Sequence, residues 1–238
     1  LVEYNPTIWD MLGSKSIEIK FMAKSITIRG SGNTGLSTAL KLKNDGHKVC
    51  LYELPEFSES TDSMDNVFSL TLLSEKINLQ IDLITNDAKE ALDFSQIIII
   101  CVPAYAHKSF AKMLSGLVTK EQVIILMPGT LGSLELKSYL INNKSEIPII
   151  CETDTSPFVC RKTANSEALI LGEVPNLGIG IMPKNRTNEV IEILSEFFNG
   201  LVPYEDVLMC GLSSLNPVVH PAGAVSYTHL RAHETDSY

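Results

Sequence analysis

Residues 25–35 read Ser25-Ile26-Thr27-Ile28-Arg29-Gly30-Ser31-Gly32-Asn33-Thr34-Gly35, a short β-branched run ending in a turn that holds three glycines. The run predicts a strand, and the turn opens a predicted helix over residues 33–45, with Leu36, Ala39, Leu40 and Leu42 on one face and Gly46 as its stop. His47-Lys48-Val49-Cys50-Leu51-Tyr52-Glu53 then predicts a second strand. The three glycines have separate tasks in such a unit. Gly30 makes the tight turn, Gly32 lets the backbone approach a pyrophosphate, and Gly35 lets helix and strand pack closely. A pyrophosphate would sit on the N–H groups of Ser31, Asn33 and Thr34 at the helix start, where the dipole favours negative charge. The flanking strand, helix and second strand separate this turn from a merely flexible loop. Glu53, at the end of the second strand, is placed to accept hydrogen bonds from the adenosine ribose hydroxyls and to repel a 2′-phosphate. NAD is therefore expected ahead of NADP; the plainer reading of Glu53 is a solvated acid at a strand end.

Outward from this unit, strands and helices keep alternating to about residue 151, which is α/β patterning. Residues 54–78 are polar and without period, and residues 79–85 alternate as one predicted strand. Asn86 and Asp87 start a short helix through Leu92. The run Ile97-Ile98-Ile99-Ile100-Cys101-Val102 is apolar throughout, as expected of a central parallel strand buried on both faces. Helices are predicted near 105–114 and 134–141, and strands at 122–127 and 147–151. After Glu152, residues 158–161, 167–171 and 178–182 read as strands with no helix between them, so the sheet is expected to become mixed. A helix at 187–198 turns Val190, Ile191, Leu194, Phe197 and Phe198 to one side. Together these predict a doubly wound, mostly parallel Rossmann-type sheet forming one domain over residues 22–210.

In such sheets, ligands bind at the carboxyl ends of the strands. There the chain reads Val102-Pro103-Ala104-Tyr105-Ala106-His107 and Met127-Pro128-Gly129-Thr130-Leu131-Gly132-Ser133. Small residues at these turns let a flat nicotinamide ring lie against the sheet. The N–H groups from Gly129 to Gly132 are candidates for a substrate carboxylate, with ordinary turn chemistry as the alternative. His107 is a candidate substrate contact or a loop-shaping residue, and Arg161 either binds a carboxylate bidentately or forms a structural ion pair.

Composition closes off other classes. In 238 residues, Lys+Arg 19 against Asp+Glu 28 leaves a net charge of -9, which repels phosphate backbones and anionic lipid. No apolar run approaches the roughly 20 residues needed to cross a bilayer. Neither nucleic acid nor membrane is expected as a partner. Five cysteines without CxxC spacing read as reduced core thiols, no metal site is expected, and a cytoplasmic location follows. Residues 1–21 and 226–238 lack hydrophobic period and are set aside as non-native or disordered extensions, with Met22 as the natural start. His229 and His233 in the tail would share a metal only on an ordered helix, which nothing there predicts.

The glycine turn, Val102-Pro103-Ala104 with His107, Met127-Pro128-Gly129, Glu152-Thr153-Asp154-Thr155 with Cys160-Arg161, and Asn216-Pro217-Val218-Val219-His220-Pro221, in this order, resemble the opine dehydrogenase (octopine/nopaline dehydrogenase) family. The last motif is the most specific. The resemblance implies an oxidoreductase that joins a 2-oxo acid such as pyruvate to the amine of an amino acid with NAD(P)H, and runs the reverse oxidation. It also implies a C-terminal helical domain, of which residues 211–225 would be the truncated start. His220 would be the catalytic acid/base, partnered by an aspartate of that domain, with His107, Gly129, Thr130, Thr155 and Arg161 toward substrate. Chemistry supports His220 independently, since imidazole gives and recovers a proton near neutral pH and prolines on both sides restrict its backbone. The chain alone is expected to bind NAD(H) without completing turnover, and to pair with another copy through an exposed helix near Leu212 and Leu215. A dinucleotide-binding module without turnover is the alternative of another class. A hydroxyacid dehydrogenase is a further one, lacking here the Asn-x-x-Lys helix expected of it.

Overall fold

The computed structural model describes residues 24–61 and 66–214. The expected extensions 1–21 and 226–238, most of 211–225, and His220 lie outside the described residues.

The first unit forms as read. Strand β1 (Ser25–Arg29) leads through the glycine turn into helix α1 (Asn33–Asn44), and β2 (Lys48–Tyr52) follows and pairs parallel with β1. Next come β3 (Val67–Leu72), β4 (Glu75–Gln80), β5 (Leu83–Thr85), α2 (Ala88–Phe94), β6 (Ile97–Ile100), α3 (His107–Leu114), β7 (Val123–Leu126), α4 (Gly132–Asn142) and β8 (Ile149–Thr153). The remaining elements are β9 (Phe158–Ala164), β10 (Glu167–Glu173), β11 (Gly178–Met182), α5 (Thr187–Leu194), β12 (Val202–Pro203) and α6 (Val207–Ser213).

The main sheet runs β12-β11-β8-β7-β6-β1-β2-β5. The six consecutive strands from β8 to the edge strand β5 are parallel, in the spatial order of a doubly wound dinucleotide fold. Alternate residues of the central strands enter different cores. Ile98, Ile100, Ile124, Leu126 and Ile150 meet α3 and α4, while Ile97, Ile99, Val123, Ile125 and Cys151 face the α1 side. Burial on both faces is why these strands are continuously apolar. No helix among the described residues is long and apolar enough to cross a membrane.

Three expectations change. Residues 54–78, read as patternless, contain the hairpin β3–β4, whose two-residue turn at Leu73 and Ser74 takes positive φ at both positions. The single strand expected at 79–85 is two strands, β4 and β5, in different sheets. And β9 and β10 do not extend the main sheet: they form a second sheet, β4-β3-β10-β9. Only β11 adds to β8, antiparallel, with Gly180 paired to Glu152. The second sheet covers the outer side of α1, so Ser37 and Thr38 are as buried as Leu36 and Leu40. A helix that reads as one-sided is thus enclosed by two sheets.

Candidate functional site

Each glycine of the turn meets a different physical constraint. Gly30 has φ +98°, and a Cβ there would lie 2.4 Å from the carbonyl oxygen of Cys101 at the end of β6. A Cβ on Gly35 would lie 1.8 Å from the Gly30 carbonyl oxygen. Around Gly32 nothing lies within 4 Å, and as the residue preceding α1 it supplies no side chain to cap the helix. The open space at Gly32 belongs to a cavity of about 280 Å³ lined by Gly32, Asn33, Thr34, Val102, Pro103 and Ala104, together with Cys101, Met127, Pro128 and Thr130. Residues separated in sequence therefore converge on one crevice at the carboxyl ends of the parallel strands, and a Cβ-free backbone faces that space. Larger cavities lie elsewhere, including one of about 410 Å³ near the amino ends of β1, β6 and β7, but none of them is lined by the glycine turn.

Glu53 lies where expected but is not a bare acid. It is 6% exposed and forms an ion pair with Arg29. Its Oε2 accepts hydrogen bonds from the Ser31 N–H and the Ser31 hydroxyl, both at 2.8 Å, and its Oε1 accepts from the Leu54 N–H at 3.0 Å. A carboxylate has about four acceptor positions, and here Arg29, Ser31 and Leu54 take them. Glu53 lines a second cavity of about 360 Å³ with Ser58, Thr61, Asn66, Ile84, Thr85 and Asn86, beyond the end of β2.

A residue not singled out by the sequence reading sits over the turn. The Lys162 N–H donates to Asn33 Oδ1 at 2.9 Å, and its ammonium reaches the Ser31 carbonyl at 3.1 Å. Burial lowers the Lys162 pKa, and the charge of Glu53 raises it in part. Cys160, two positions earlier, donates to the Asn33 carbonyl at 3.4 Å. Arg161 is exposed, on the opposite face of β9. The period-two alternation with Phe158 and Cys160 was the available signal, but it decides the face only once β9 is known to cover α1.

Near Thr130 the structure corrects a second expectation. The Gly129 N–H donates to the Thr153 carbonyl and the Gly132 N–H to the Gly129 carbonyl. The N–H groups of Leu131 and Ser133 both donate to the carboxylate of Glu152, at 3.1 Å, and Glu152 is fully buried. The anion held by this turn is therefore the protein's own. Gly129 is small because its Cβ would lie 2.1 Å from that of Glu152. Thr130 and Leu131 hold left-handed backbone, with φ 48° and 66°, a strained conformation that these bonds help to maintain.

His107 is likewise buried. It is 4% exposed, and a Cβ on Gly132 would lie 2.1 Å from its Nδ1, so the ring fills the joint between α3 and α4. Burial lowers its pKa, against smaller raising effects of Glu135 and the Val102 backbone. Thr155 is half-buried after β8, where its carbonyl accepts from the Thr153 hydroxyl. Burial also pushes the Cys101 thiol upward. Helix α6 runs across position 210, and a Cβ on Gly211 would lie 2.7 Å from Glu152 Oε1. The described chain thus ends beside the Thr130 turn.

Residues 25–145, about half of the chain, match the family described as NAD-dependent glycerol-3-phosphate dehydrogenase N-terminus. An opine dehydrogenase from Arthrobacter sp. (strain 1C) is 26% identical over 204 residues, covering 84% of this chain and 56% of that protein. The glycerol-3-phosphate dehydrogenase of Bacillus subtilis (strain 168) is 27% identical over only 43% of this chain and 29% of its own length. Among solved structures, an octopine dehydrogenase with NADH and pyruvate superposes with a TM-score of 0.68 at 17% identity, over 84% of this chain and 54% of that one. The chain spans about half the length of the opine dehydrogenases it matches. The chain belongs to the NAD-dependent glycerol-3-phosphate dehydrogenase N-terminus family, and its likeness to opine dehydrogenases continues past residue 145.

Proposed function

We propose that the chain is the cofactor-binding part of an NAD(P)H-dependent oxidoreductase that joins a 2-oxo acid such as pyruvate to the amine of an amino acid, and catalyses the reverse oxidation. The carrying observation is the convergence of Gly32, Val102, Pro103, Ala104 and Thr130 on one crevice at the carboxyl ends of a parallel sheet. The likeness to opine dehydrogenases beyond residue 145 favours this reaction over glycerol 3-phosphate oxidation.

A dinucleotide held by the glycine turn and by Val102, Pro103 and Ala104 would supply hydride chemistry for reduction of the imine carbon. The chain's own residues position and protonate. Gly32 leaves space for phosphate at the start of α1, and Val102, Pro103 and Ala104 form a wall for the nicotinamide end. Thr130 and Thr155 remain candidates for the substrate side. His220 is assigned the proton that the new amine nitrogen needs. Its support is the motif Asn216-Pro217-Val218-Val219-His220-Pro221, which follows shortly after α6 reaches the crevice. Six residues reach at most about 20 Å, which is sufficient for that position. The remaining substrate contacts are assigned to a helical domain beyond residue 225.

The test has two parts. Calorimetry on the chain itself is expected to show NADH binding. A chimera continued past residue 225 with the helical domain of an opine dehydrogenase is expected to oxidise NADH only with both pyruvate and an amino acid, and His220→Ala to slow it by about 10²–10⁴-fold with NADH affinity kept. Oxidation with the 2-oxo acid alone, or turnover of glycerol 3-phosphate, would overturn the reading.

A further inference from the structure

The end of α1 remote from the glycine turn borders a cavity of about 330 Å³. There the last turn of the helix, the paired ends of β9 and β10, and the segment after α5 come together. Helix α1 has 12 residues and is therefore about 18 Å long, and this cavity shares no lining residue with the crevice at its start. The two are separate places on the molecule.

The wall is apolar but for one group. Phe158, Leu177, Phe197 and Phe198 line it and are buried. His47 lines it too, is 3% exposed, and packs its ring against Phe197. Its Nδ1 has no hydrogen-bond partner among the described residues. A buried ring nitrogen is costly to leave unpaired, so a polar atom entering the cavity gains by meeting it. Burial lowers the His47 pKa, which keeps the ring uncharged at neutral pH. One ring nitrogen then donates and the other accepts, and a hydroxyl can bond to either.

The rim is acidic. Asp45, Glu173 and Glu196 line the cavity with Lys41 as their one cationic companion. Lys41 pairs with Asp45 at 2.6 Å, and Glu196 pairs at 2.6 Å with Lys24, which lies outside the lining. Glu173 has only the 3.6 Å contact to Lys41 among the described residues, so it is the carboxylate least taken up by a partner. Even with Lys24 counted, three carboxylates face two ammonium groups, and the C-terminus of α1 adds the negative end of its dipole. The rim favours a cation over an anion. The volume is that of a small-molecule site.

We propose that this cavity binds a small organic amine whose apolar body carries a hydroxyl. The ammonium pairs with Glu173 at the rim, the body packs on Phe158, Phe197 and Phe198, and the hydroxyl bonds to His47 Nδ1. This site does not depend on the dinucleotide reading of the crevice.

The test is calorimetric titration of the chain with tyramine, with phenethylamine, which lacks the hydroxyl, and with hydroxyphenylpropionate, which replaces the ammonium by a carboxylate. Tyramine is expected to bind with a dissociation constant of about 1 mM or below, phenethylamine about fivefold more weakly, and the acid at least about tenfold more weakly. Glu173 is exposed, so Glu173→Gln keeps the fold and should weaken both amines by about threefold. His47→Phe keeps the aromatic contact and should weaken tyramine to the level of phenethylamine. No tyramine binding below about 10 mM, or equal affinity for the acid, overturns the proposal. So does tyramine binding that neither variant changes, which would place the amine elsewhere on the chain.

Discussion

Ser31 donates to Glu53 twice, through its backbone N–H and its hydroxyl, both to Oε2 at 2.8 Å. The glycine turn and the end of β2 are thereby joined by side-chain chemistry as well as by the Gly30 N–H bond to the Tyr52 carbonyl. Ser31→Ala removes the hydroxyl and leaves a buried carboxylate one donor short. A loss of about 1–2 kcal/mol of unfolding free energy is expected in urea titration. A variant as stable as wild type would mean that Glu53 does not depend on this hydroxyl.

Gly32 and Gly35 are expected to fail in different ways when replaced by alanine. At Gly35 the new Cβ strikes the Gly30 carbonyl at 1.8 Å, so Gly35→Ala should cost about 3 kcal/mol or more and yield little folded protein. At Gly32 the new Cβ meets nothing within 4 Å, so Gly32→Ala should fold with a nearly unchanged melting curve while NADH affinity falls by roughly tenfold or more. Thermal melts beside NADH titrations separate the two. Unimpaired NADH binding by Gly32→Ala would remove the phosphate from this turn.

Glu152 holds Leu131 and Ser133 with two equivalent acceptors, a geometry an amide cannot copy. In Glu152→Gln one N–H must face an NH₂ group. The expected loss is about 1–3 kcal/mol in urea unfolding, with Glu152→Ala worse because it also leaves a cavity. If Glu152→Gln were neutral, the left-handed backbone at Thr130 and Leu131 would have to be held by something else.

Stability should also fall on mild acidification. Burial lowers the pKa of His47 and of His107 from 6.5, so below that value the unfolded chain binds more protons than the folded one. The stabilising contribution of the neutral rings is complete above 6.5 and declines as pH falls through 6.5 toward the folded values. The His47 ring packs tilted against Phe197 with centroids 4.8 Å apart, so His47→Phe keeps an aromatic contact and removes the titration. The drop in urea midpoint between about pH 7.5 and about pH 5.5 should be smaller in His47→Phe than in wild type. An identical drop would assign the acid sensitivity to His107.

Much of the first unit was determined by the sequence itself, because its causes are local. The β-branched run at residues 25–29, the three spaced glycines and the apolar face of α1 act within a few turns of chain, and β1, α1 and β2 form where they were read. The all-apolar run at residues 97–102 likewise announced a strand buried on both faces. Tertiary structure alone decided what stands around the crevice. Hydrogen bonds from Lys162 to Asn33 and Ser31 span 129 and 131 positions, and those from Leu131 and Ser133 to Glu152 span 21 and 19. Between Arg161 and Lys162 the choice is one of strand face, set when β9 joins β10 and β3 in a second sheet instead of extending the first. Between Glu152 and a substrate carboxylate at the Thr130 turn, it is set by the register of β7 on β8, which pairs Leu126 with Glu152. Local periodicity carries no information about a partner strand, so Lys162 and Glu152 became visible as neighbours of these turns only after the strands were paired.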